Sequence, residues 1–213
     1  MRIDMIPLRK KEPARRDNPS KSPTGENWGE HKPELKEDFS SYCGYCSSHD
    51  SFRHTYFEVD HFVPKSLLKL SETPDLCKYS NLVYSCKFCN NAKLSKWPSG
   101  NEDVHNDGTT GFVDPCAADF SSHFARTDEG AIFGVTDLGK WMSLTAFKFD
   151  KREKAIIILW NLDNLKISIE QLTLQLKTMA EASDEYKTLY ARMTTFCAQY
   201  YTWDKELKEF YDQ

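Results

Sequence analysis

Four cysteines in the first half of the chain form two pairs, each with two residues between its members. The pairs are Cys43/Cys46 in YCGYC and Cys86/Cys89 in SCKFC. Two such pairs supply four thiolates, which is the ligand set of a tetrahedral zinc ion. A zinc ion would bring the two ends of this segment together. Because a closed four-thiolate site leaves zinc no open position, these cysteines are predicted to be structural ligands.

Between and beside the cysteine pairs lie residues that suit phosphodiester hydrolysis. Asp60 offers a carboxylate and Asn90 an amide oxygen, the ligands that a hard divalent ion such as Mg²⁺ or Mn²⁺ prefers. His61 follows Asp60 in an extended segment, so the two side chains are expected on opposite sides, one facing the metal and the other the attacking water. A histidine, with an ordinary pKa of about 6.5, suits general-base catalysis at neutral pH.

Supporting roles are predicted for a second asparagine and for several lysines. Asn81 has both an amide donor and an acceptor, and we expect it to hold the loop that carries His61. Lys93 lies one helical turn after Asn90 and is expected on the same face, in contact with the phosphate backbone. Three other lysines near the cysteine pairs are further candidates for nucleic-acid contact: Lys65, Lys87 and Lys96.

Short elements around these residues are predicted to hold them in place. Residues 55–63 are rich in aromatic and β-branched side chains, which predicts a strand that Pro64 ends. Residues 82–85 predict a second short strand. The segment CKFCNNAKLSKW, residues 86–97, predicts a helix whose first turn carries the last cysteine and asparagine. The expected unit is therefore strand, strand and helix around one metal ion.

Four regions are predicted along the chain. Residues 1–32 form a basic extended arm, and residues 33–98 form the metal-binding core with its zinc ribbon. Residues 99–149 form a small β-rich extension with a hairpin tip at residues 128–130. Residues 150–213 form a helical hairpin. The fold class is therefore α+β, with a ββα core held by a four-cysteine zinc site.

The helical hairpin is predicted from apolar side chains that recur every three or four residues. Ser168 and Gln171 have the spacing of a capping box and predict a helix start at that point. Ser183, followed by two acidic residues, predicts the start of the last helix. The tyrosine-rich face of that helix is expected either to close over the core or to meet a partner protein.

Composition and charge limit the functions that are possible. Of 213 residues, 39% are hydrophobic and 28% are charged, as in ordinary soluble globular proteins. A net charge of -4 excludes a protein that merely coats nucleic acid, so any DNA binding needs local positive charge. The basic arm either contacts phosphates or is a solvated charge run. Without a membrane-spanning run or a secretory signal at the N-terminus, a cytoplasmic location is expected.

Some residues of metal-binding type are expected to have no chemical role. Asp103, His105 and Asp107 alternate in a polar loop, for which a solvated loop is favoured over a second metal site. The remaining cysteines are expected to be buried small apolar residues in a reducing compartment. They are Cys77, Cys116 and Cys197.

The central motifs resemble those of the HNH endonuclease family and its ββα-metal fold. The resemblance rests on the order Cys-x-x-Cys, Asp-His-x-x-Pro-x-Ser, Asn-Leu and Cys-x-x-Cys-Asn-x-x-Lys within residues 40–97, and VDHFVPKS is also similar to the HNH domain of RNA-guided CRISPR nucleases. It implies that His61 is the general base, that Asp60 and Asn90 bind the catalytic metal, and that Asn81 orders the loop. Asn90 stands where many members have histidine, and LLKLSE replaces a frequent Gly-Gly.

The flanking segments HKPELKEDFSSYCGYC and GFVDPCAADFSSHFARTDEGAIFG resemble standalone HNH proteins of bacterial anti-phage systems of the Septu and retron-linked types. This resemblance implies a nuclease that works beside an ATPase partner in antiviral defence, and the HNH family implies that it cuts DNA and leaves a 5′-phosphate and a 3′-hydroxyl. Two alternatives stay open. One is a zinc-ribbon subunit that binds nucleic acid or protein without catalysis, and the other is a nuclease that is silent until its partner engages it.

Overall fold

A computed structural model describes residues 5–71 and 74–211, and it divides into two compact units at Glu153. The strands are β1 (Ile6–Pro7), β2 (Phe57–His61), β3 (Leu82–Cys86), β4 (Phe124–Arg126) and β5 (Ile132–Gly134). The helices are α1 (Lys32–Asp38), α2 (Lys65–Leu68), α3 (Lys87–Lys93), α4 (Asp137–Trp141), α5 (Glu153–Leu176) and α6 (Asp184–Tyr211), with a π-helical turn at Met142–Ala146 after α4. This mixture confirms the α+β class.

The centre of the first unit is the antiparallel pair β2 and β3, followed directly by α3. Their register runs from Phe57 opposite Cys86 to His61 opposite Leu82. All five residues of β3 are buried, which agrees with its apolar sequence. The strand–strand–helix unit predicted from the sequence is therefore confirmed. It places the end of β2, where the Asp-His pair lies, beside α3.

A second antiparallel sheet, in the order β1–β4–β5, lies in the same unit. β4 and β5 form the hairpin predicted at residues 128–130, but α4 and the π-helical turn follow it, so the extension contains more helix than expected. The buried guanidinium of Arg126 joins this hairpin to the rest of the unit. It donates to the carbonyls of Leu8 at 2.7 Å, Gly130 at 2.6 Å and Cys46 at 2.9 Å.

The basic arm is part of this unit in the residues that the structure describes. β1 pairs with β4, and Leu8 is fully buried. Three arginines of the arm pair with groups of the protein itself, Arg9 being buried and Arg15 and Arg16 half-buried, so these three do not supply the free positive charge expected for phosphate contact or for a solvated charge run. Arg9 donates to the carbonyls of Gly44 (2.8 Å) and Pro115 (3.0 Å), Arg15 pairs with Asp114 (2.9 Å), and Arg16 pairs with Glu34, Glu37 and Asp38. Arg2 lies outside the described residues.

Aromatic side chains fill the core of the first unit. Trp97 stacks on Phe112 with ring centroids 5.6 Å apart, and Phe112 meets Phe147 edge to face at 5.8 Å. Phe147 in turn packs on Tyr45 at 4.5 Å, which ties the extension to the first cysteine pair. Such pairs contribute about 0.5–1.5 kcal/mol each beyond their burial.

The second unit is the helical hairpin of α5 and α6. Ser183 caps α6 as predicted, because its Oγ accepts from the backbone nitrogen of Tyr186 at 3.1 Å. The helix start predicted at Ser168 is wrong, since α5 begins at Glu153 and runs through Ser168 without a break. Within the described residues, no helix combines the length and apolar character needed to cross a bilayer.

Candidate active site and zinc cluster

The four paired cysteines meet in one buried cluster. Their Sγ atoms all lie within 4.8 Å of one another. Cys43 and Cys46 lie in a tight turn in which Gly44 is required by close packing, since a Cβ there would lie 2.7 Å from Phe39 and from Val83. The second pair comes from the end of β3 and the first turn of α3. This donor set and its spacing are those of a structural zinc site.

Arg152 lies against this cluster. Its Nη2 donates to the Sγ of Cys89 at 3.3 Å, and its guanidinium covers the ring of Phe88 at 4.9 Å. Burial by itself would lower the pKa of Arg152, but the four cysteine side chains raise it above its ordinary value. Four thiolates around Zn²⁺ carry a net charge of about -2, so a fixed arginine beside them stabilises the metal-bound form.

We expect Arg152→Met to weaken zinc binding about tenfold or more, because outer contacts to metal ligands commonly contribute that much. The measurement is a competition titration of the purified protein against a chromophoric zinc chelator. Arg152→Lys keeps the positive charge and is the matched control, with an expected loss of less than about threefold. Equal zinc affinity for Arg152→Met and the wild type would contradict this role.

Asp60 lies at the end of β2 and is almost completely buried. Its Oδ2 accepts from the Tyr45 hydroxyl at 2.5 Å and lies 3.2 Å from the Lys93 ammonium. Burial and the nearby Asp60 raise the pKa of Tyr45 well above its ordinary value, so the phenol stays protonated and donates. The carboxylate is held in one orientation, with Oδ1 as the oxygen that a metal ion would use.

His61 is fixed by the backbone and by an aromatic ring. Its Nε2 lies 2.8 Å from the carbonyl oxygen of Leu76, and Trp28 packs edge-on against the imidazole at 4.9 Å. Because a carbonyl can only accept, the neutral ring carries its proton on Nε2 and its lone pair on Nδ1. Burial lowers the pKa of His61 below its ordinary value, opposed by the Leu76 hydrogen bond and by Asp60.

Asn81 binds the segment that follows His61. Its Oδ1 accepts from the backbone nitrogen of Val63 at 2.9 Å, and its Nδ2 donates to the Val63 carbonyl at 3.2 Å. Its own carbonyl accepts from the backbone nitrogen of Phe62 at 2.8 Å. Three hydrogen bonds from one residue fix the backbone directly after the histidine. This geometry suits the positioning role expected from the sequence.

Asn90 lies in α3 and is oriented by Glu58 of β2. The amide Nδ2 donates to Glu58 Oε2 at 2.8 Å, so Oδ1 is the atom available to a metal ion. Glu58 and Asp60 are two residues apart in β2 and point to the same face. Glu58 was not among the site residues predicted from the sequence, although the alternation of side chains along β2 indicates that it shares a face with Asp60.

A cleft of about 450 Å³ is lined by three of the four predicted site residues, Asp60, His61 and Asn90, and also by Pro64 and Ser66. Asn81 is not among its lining residues and contacts the backbone of Val63 instead. A carboxylate and an amide oxygen in a cleft with room for water and a phosphate group suit a hard divalent ion. The donor chemistry therefore fits the Mg²⁺ or Mn²⁺ ion expected from the sequence.

Lys93 lies elsewhere than predicted. Its helical position predicts a surface lysine in contact with phosphate, but its side chain is 0% exposed. The ammonium pairs with Asp60 and donates to the carbonyl of His61 at 2.7 Å. The assignment to nucleic-acid contact is a mistake that followed from counting helical turns alone, and we assign Lys93 instead to holding the Asp-His pair.

The other three predicted lysines lie in different surroundings. Lys65 is exposed at the start of α2 and lies 4.3 Å above the ring of Trp28. Lys87 is exposed at the start of α3. Lys96 is half-buried, its ammonium donates to the carbonyl of Ala92, and burial lowers its pKa. Lys65 and Lys87 therefore stay candidates for phosphate contact, and Lys96 is a weaker one.

The polar loop forms no metal-ligand cluster: in the described part of the chain, the four cysteines are the one group of three or more His, Cys, Asp or Glu side chains close enough to share an ion. Asp107 instead accepts hydrogen bonds from Thr109 and Thr110, and these bonds lower its pKa. The ring of His105 packs edge-on against Phe62 at 5.0 Å.

The unpaired cysteines differ from expectation in two of three cases. Cys77 is buried as predicted, but Cys116 is half-buried and Cys197 is exposed on α6.

The fold and the site together define a class of protein. A strand–strand–helix unit that presents an Asp-His pair and an asparagine to one cleft, beside a zinc-type cysteine cluster, is the arrangement of ββα-metal nucleases. Comparison with protein families agrees, since residues 43–96 match the model of the HNH endonuclease family. The chain therefore carries an HNH endonuclease domain. No curated protein and no solved structure gives a significant match to the chain.

Proposed function

We propose that the protein is a metal-dependent endonuclease that hydrolyses phosphodiester bonds in DNA, with His61 as the general base. The observation that carries the proposal is the convergence of Asp60, His61 and Asn90 on one cleft within the matched domain. The expected products carry a 5′-phosphate and a 3′-hydroxyl, as the family resemblance implies.

His61 is suited to accept the proton of the attacking water. Its Nε2 proton is held by the Leu76 carbonyl, which leaves the Nδ1 lone pair as the basic site. Burial lowers the pKa of His61, so the ring is neutral at pH 7 and able to take up a proton. Asn81 acts through the backbone of Val63 and is a positioning residue.

Asp60 and Asn90 would hold the catalytic ion. When bound, an Mg²⁺ or Mn²⁺ ion stabilises charge on the phosphate and assists the departing oxygen. Tyr45 and Lys93 keep the Asp60 carboxylate in a fixed orientation, and Glu58 does the same for the Asn90 amide. The zinc ion of the cysteine cluster has a structural role and no part in the reaction.

We expect Asn90→Ala to raise the Mg²⁺ concentration needed for half-maximal cleavage about tenfold or more, because one oxygen ligand is lost. The measurement is the initial rate of plasmid nicking over a range of Mg²⁺ concentrations, repeated with Mn²⁺. Asn18→Ala, at an exposed position in the arm, is the control with an unchanged metal dependence. Identical metal dependence in Asn90→Ala and the wild type would remove Asn90 from the metal site.

We also propose that this nuclease is the effector of an anti-phage system and works with an ATPase partner. Its net charge of -4 limits affinity for DNA in the absence of a partner. The rings of Tyr186 and Tyr190 stack on α6, where Tyr190 is half exposed and available for protein contact. Full activity of the isolated chain on duplex DNA at physiological salt would contradict control by a partner.

The alternative of a zinc-ribbon binding subunit without catalysis is less favoured. A binding module needs the cysteine cluster alone. Here the buried Lys93–Asp60 pair and the His61–Leu76 hydrogen bond arrange two reactive side chains beside a cleft, and a buried charged pair carries a desolvation cost that binding alone gives no reason to retain.

A further inference from the structure

A second and larger cleft adjoins the catalytic cleft. It has a volume of about 780 Å³, and Asn91 of α3 lines both clefts. The ends of β2 and β3 and the segment before β2 form its walls. Its lining includes three cationic and two aromatic side chains: Lys32, Arg53, Lys87, Tyr56 and Phe88.

The walls of the second cleft carry an excess of positive charge. Lys32, Arg53 and Lys87 are exposed, and within the described residues none of them pairs with a carboxylate. The acidic side chain on the same wall, Asp50, is already neutralised, because it pairs with Lys36 at 2.7 Å and accepts from the Tyr84 hydroxyl at 2.7 Å. This local charge contrasts with the acidic chain as a whole and suits a phosphate backbone.

An exposed aromatic ring stands beside these cations. Tyr56 is 80% exposed although it adjoins β2, and its carbonyl accepts from the backbone nitrogen of Lys87 at 2.9 Å. Behind it, Phe88 is supported by Arg152 at 4.9 Å and by the near-parallel ring of His54. Exposed rings that alternate with cations are typical of surfaces on which unpaired bases stack.

We propose, on the basis of the nuclease function above, that the second cleft binds an unpaired segment of the DNA substrate next to the bond that is cut. Tyr56 stacks on a base, and Lys32, Arg53 and Lys87 contact the phosphates on either side. A fully paired duplex hides the faces of its bases inside the stack, so it could use the cations but not the tyrosine. The preferred substrate is therefore DNA with unpaired nucleotides near the scissile phosphate.

The test measures binding separately from cutting. In a His61→Ala background, fluorescence anisotropy compares three labelled 30-nucleotide probes: a single strand, the full duplex, and a duplex with a short unpaired bubble. We expect the bubble probe to bind at least about fivefold more tightly than the duplex, and Tyr56→Ala to remove this preference with little effect on the duplex. Lys87→Gln should weaken the binding of all three probes. It should also reduce the slope of log affinity against log salt concentration by about one, the value for one phosphate contact.

Controls make the outcomes decisive. Tyr201 is 71% exposed on α6, and Tyr201→Ala in the same His61→Ala background should bind all three probes with unchanged affinity. Equal binding of duplex and bubble, or unchanged binding by Tyr56→Ala, would overturn the proposal. If the wild type cuts DNA while Tyr56→Ala binds normally, the cleft assignment fails and the nuclease stands. If the binding pattern holds while the wild type cuts nothing, the cleft stands and the nuclease proposal fails.

Discussion

His61→Ala is expected to slow DNA cleavage by about 10²- to 10⁴-fold while leaving folding and DNA binding unchanged. The loss follows from the site geometry, because His61 is the one side chain in the catalytic cleft with a basic nitrogen that is neutral at pH 7. The measurement is the single-turnover cleavage rate with protein in excess over DNA, so that product release does not mask the chemical step.

Rescue by free imidazole separates a general base from a merely structural histidine. The small cavity left by His61→Ala lies open to the catalytic cleft, so added imidazole should restore part of the rate in proportion to its concentration. His105→Ala, in the exposed polar loop, is the matched control and should stay within about threefold of the wild type. A His61→Ala protein that cuts as fast as the wild type would show that another group is the base.

Loss of one zinc ligand is the second change with a large expected effect. Cys86→Ser should release zinc and unfold the HNH domain, because structural zinc contributes about 10–16 kcal/mol of apparent binding free energy to folding. That exceeds or equals the whole stability of most domains, about 5–15 kcal/mol. Cys86 is fully buried at the end of β3, where no other described side chain could replace its thiolate.

The measurements for this variant are zinc content by elemental analysis and thermal unfolding by circular dichroism. Cys197→Ser, at the exposed cysteine of α6, is the control and should keep one zinc ion per chain and an unchanged melting temperature. A strong zinc chelator added to the wild type should reproduce the Cys86→Ser behaviour. One bound zinc and normal melting in Cys86→Ser would contradict the structural role of the cluster.

The part of the fold that the sequence predicted well is the part with local, strict spacing. Two Cys-x-x-Cys pairs have the spacing of one zinc site, and the composition of residues 55–63 and 82–85 predicts two strands. The helix after Cys86 followed from the same pattern. These signals depend on neighbours in sequence, and the structure confirms them.

The sequence could not predict contacts that depend on distant segments. Lys93 has the helical position of a surface lysine, but its ammonium is buried because it pairs with Asp60 and donates to the carbonyl of His61. The sequence around the arginines of the arm does not show their partners, because these lie far away in the chain, as Asp114 does from Arg15. The capping pattern at Ser168 does not start a helix, because Ser168 lies inside α5, which begins at Glu153. Local propensity is a weak signal that the rest of the fold can outweigh. The hydrogen-bond partner of His61 is the backbone carbonyl of Leu76, and the type of a residue does not indicate which backbone carbonyl a histidine contacts.

The division into four regions and the roles of the site residues stay predictions. Asp60, His61 and Asn90 share one cleft, which gives each role a geometric basis.

The most direct test of the central claim is a plasmid-nicking assay on the purified, zinc-loaded chain, with EDTA, Mg²⁺ or Mn²⁺ in separate reactions. We expect nicking with Mg²⁺ or Mn²⁺, none with EDTA, and none above background for His61→Ala in any reaction. Nicking in EDTA, or equal nicking by wild type and His61→Ala, would contradict a metal-dependent HNH nuclease in which His61 is the general base.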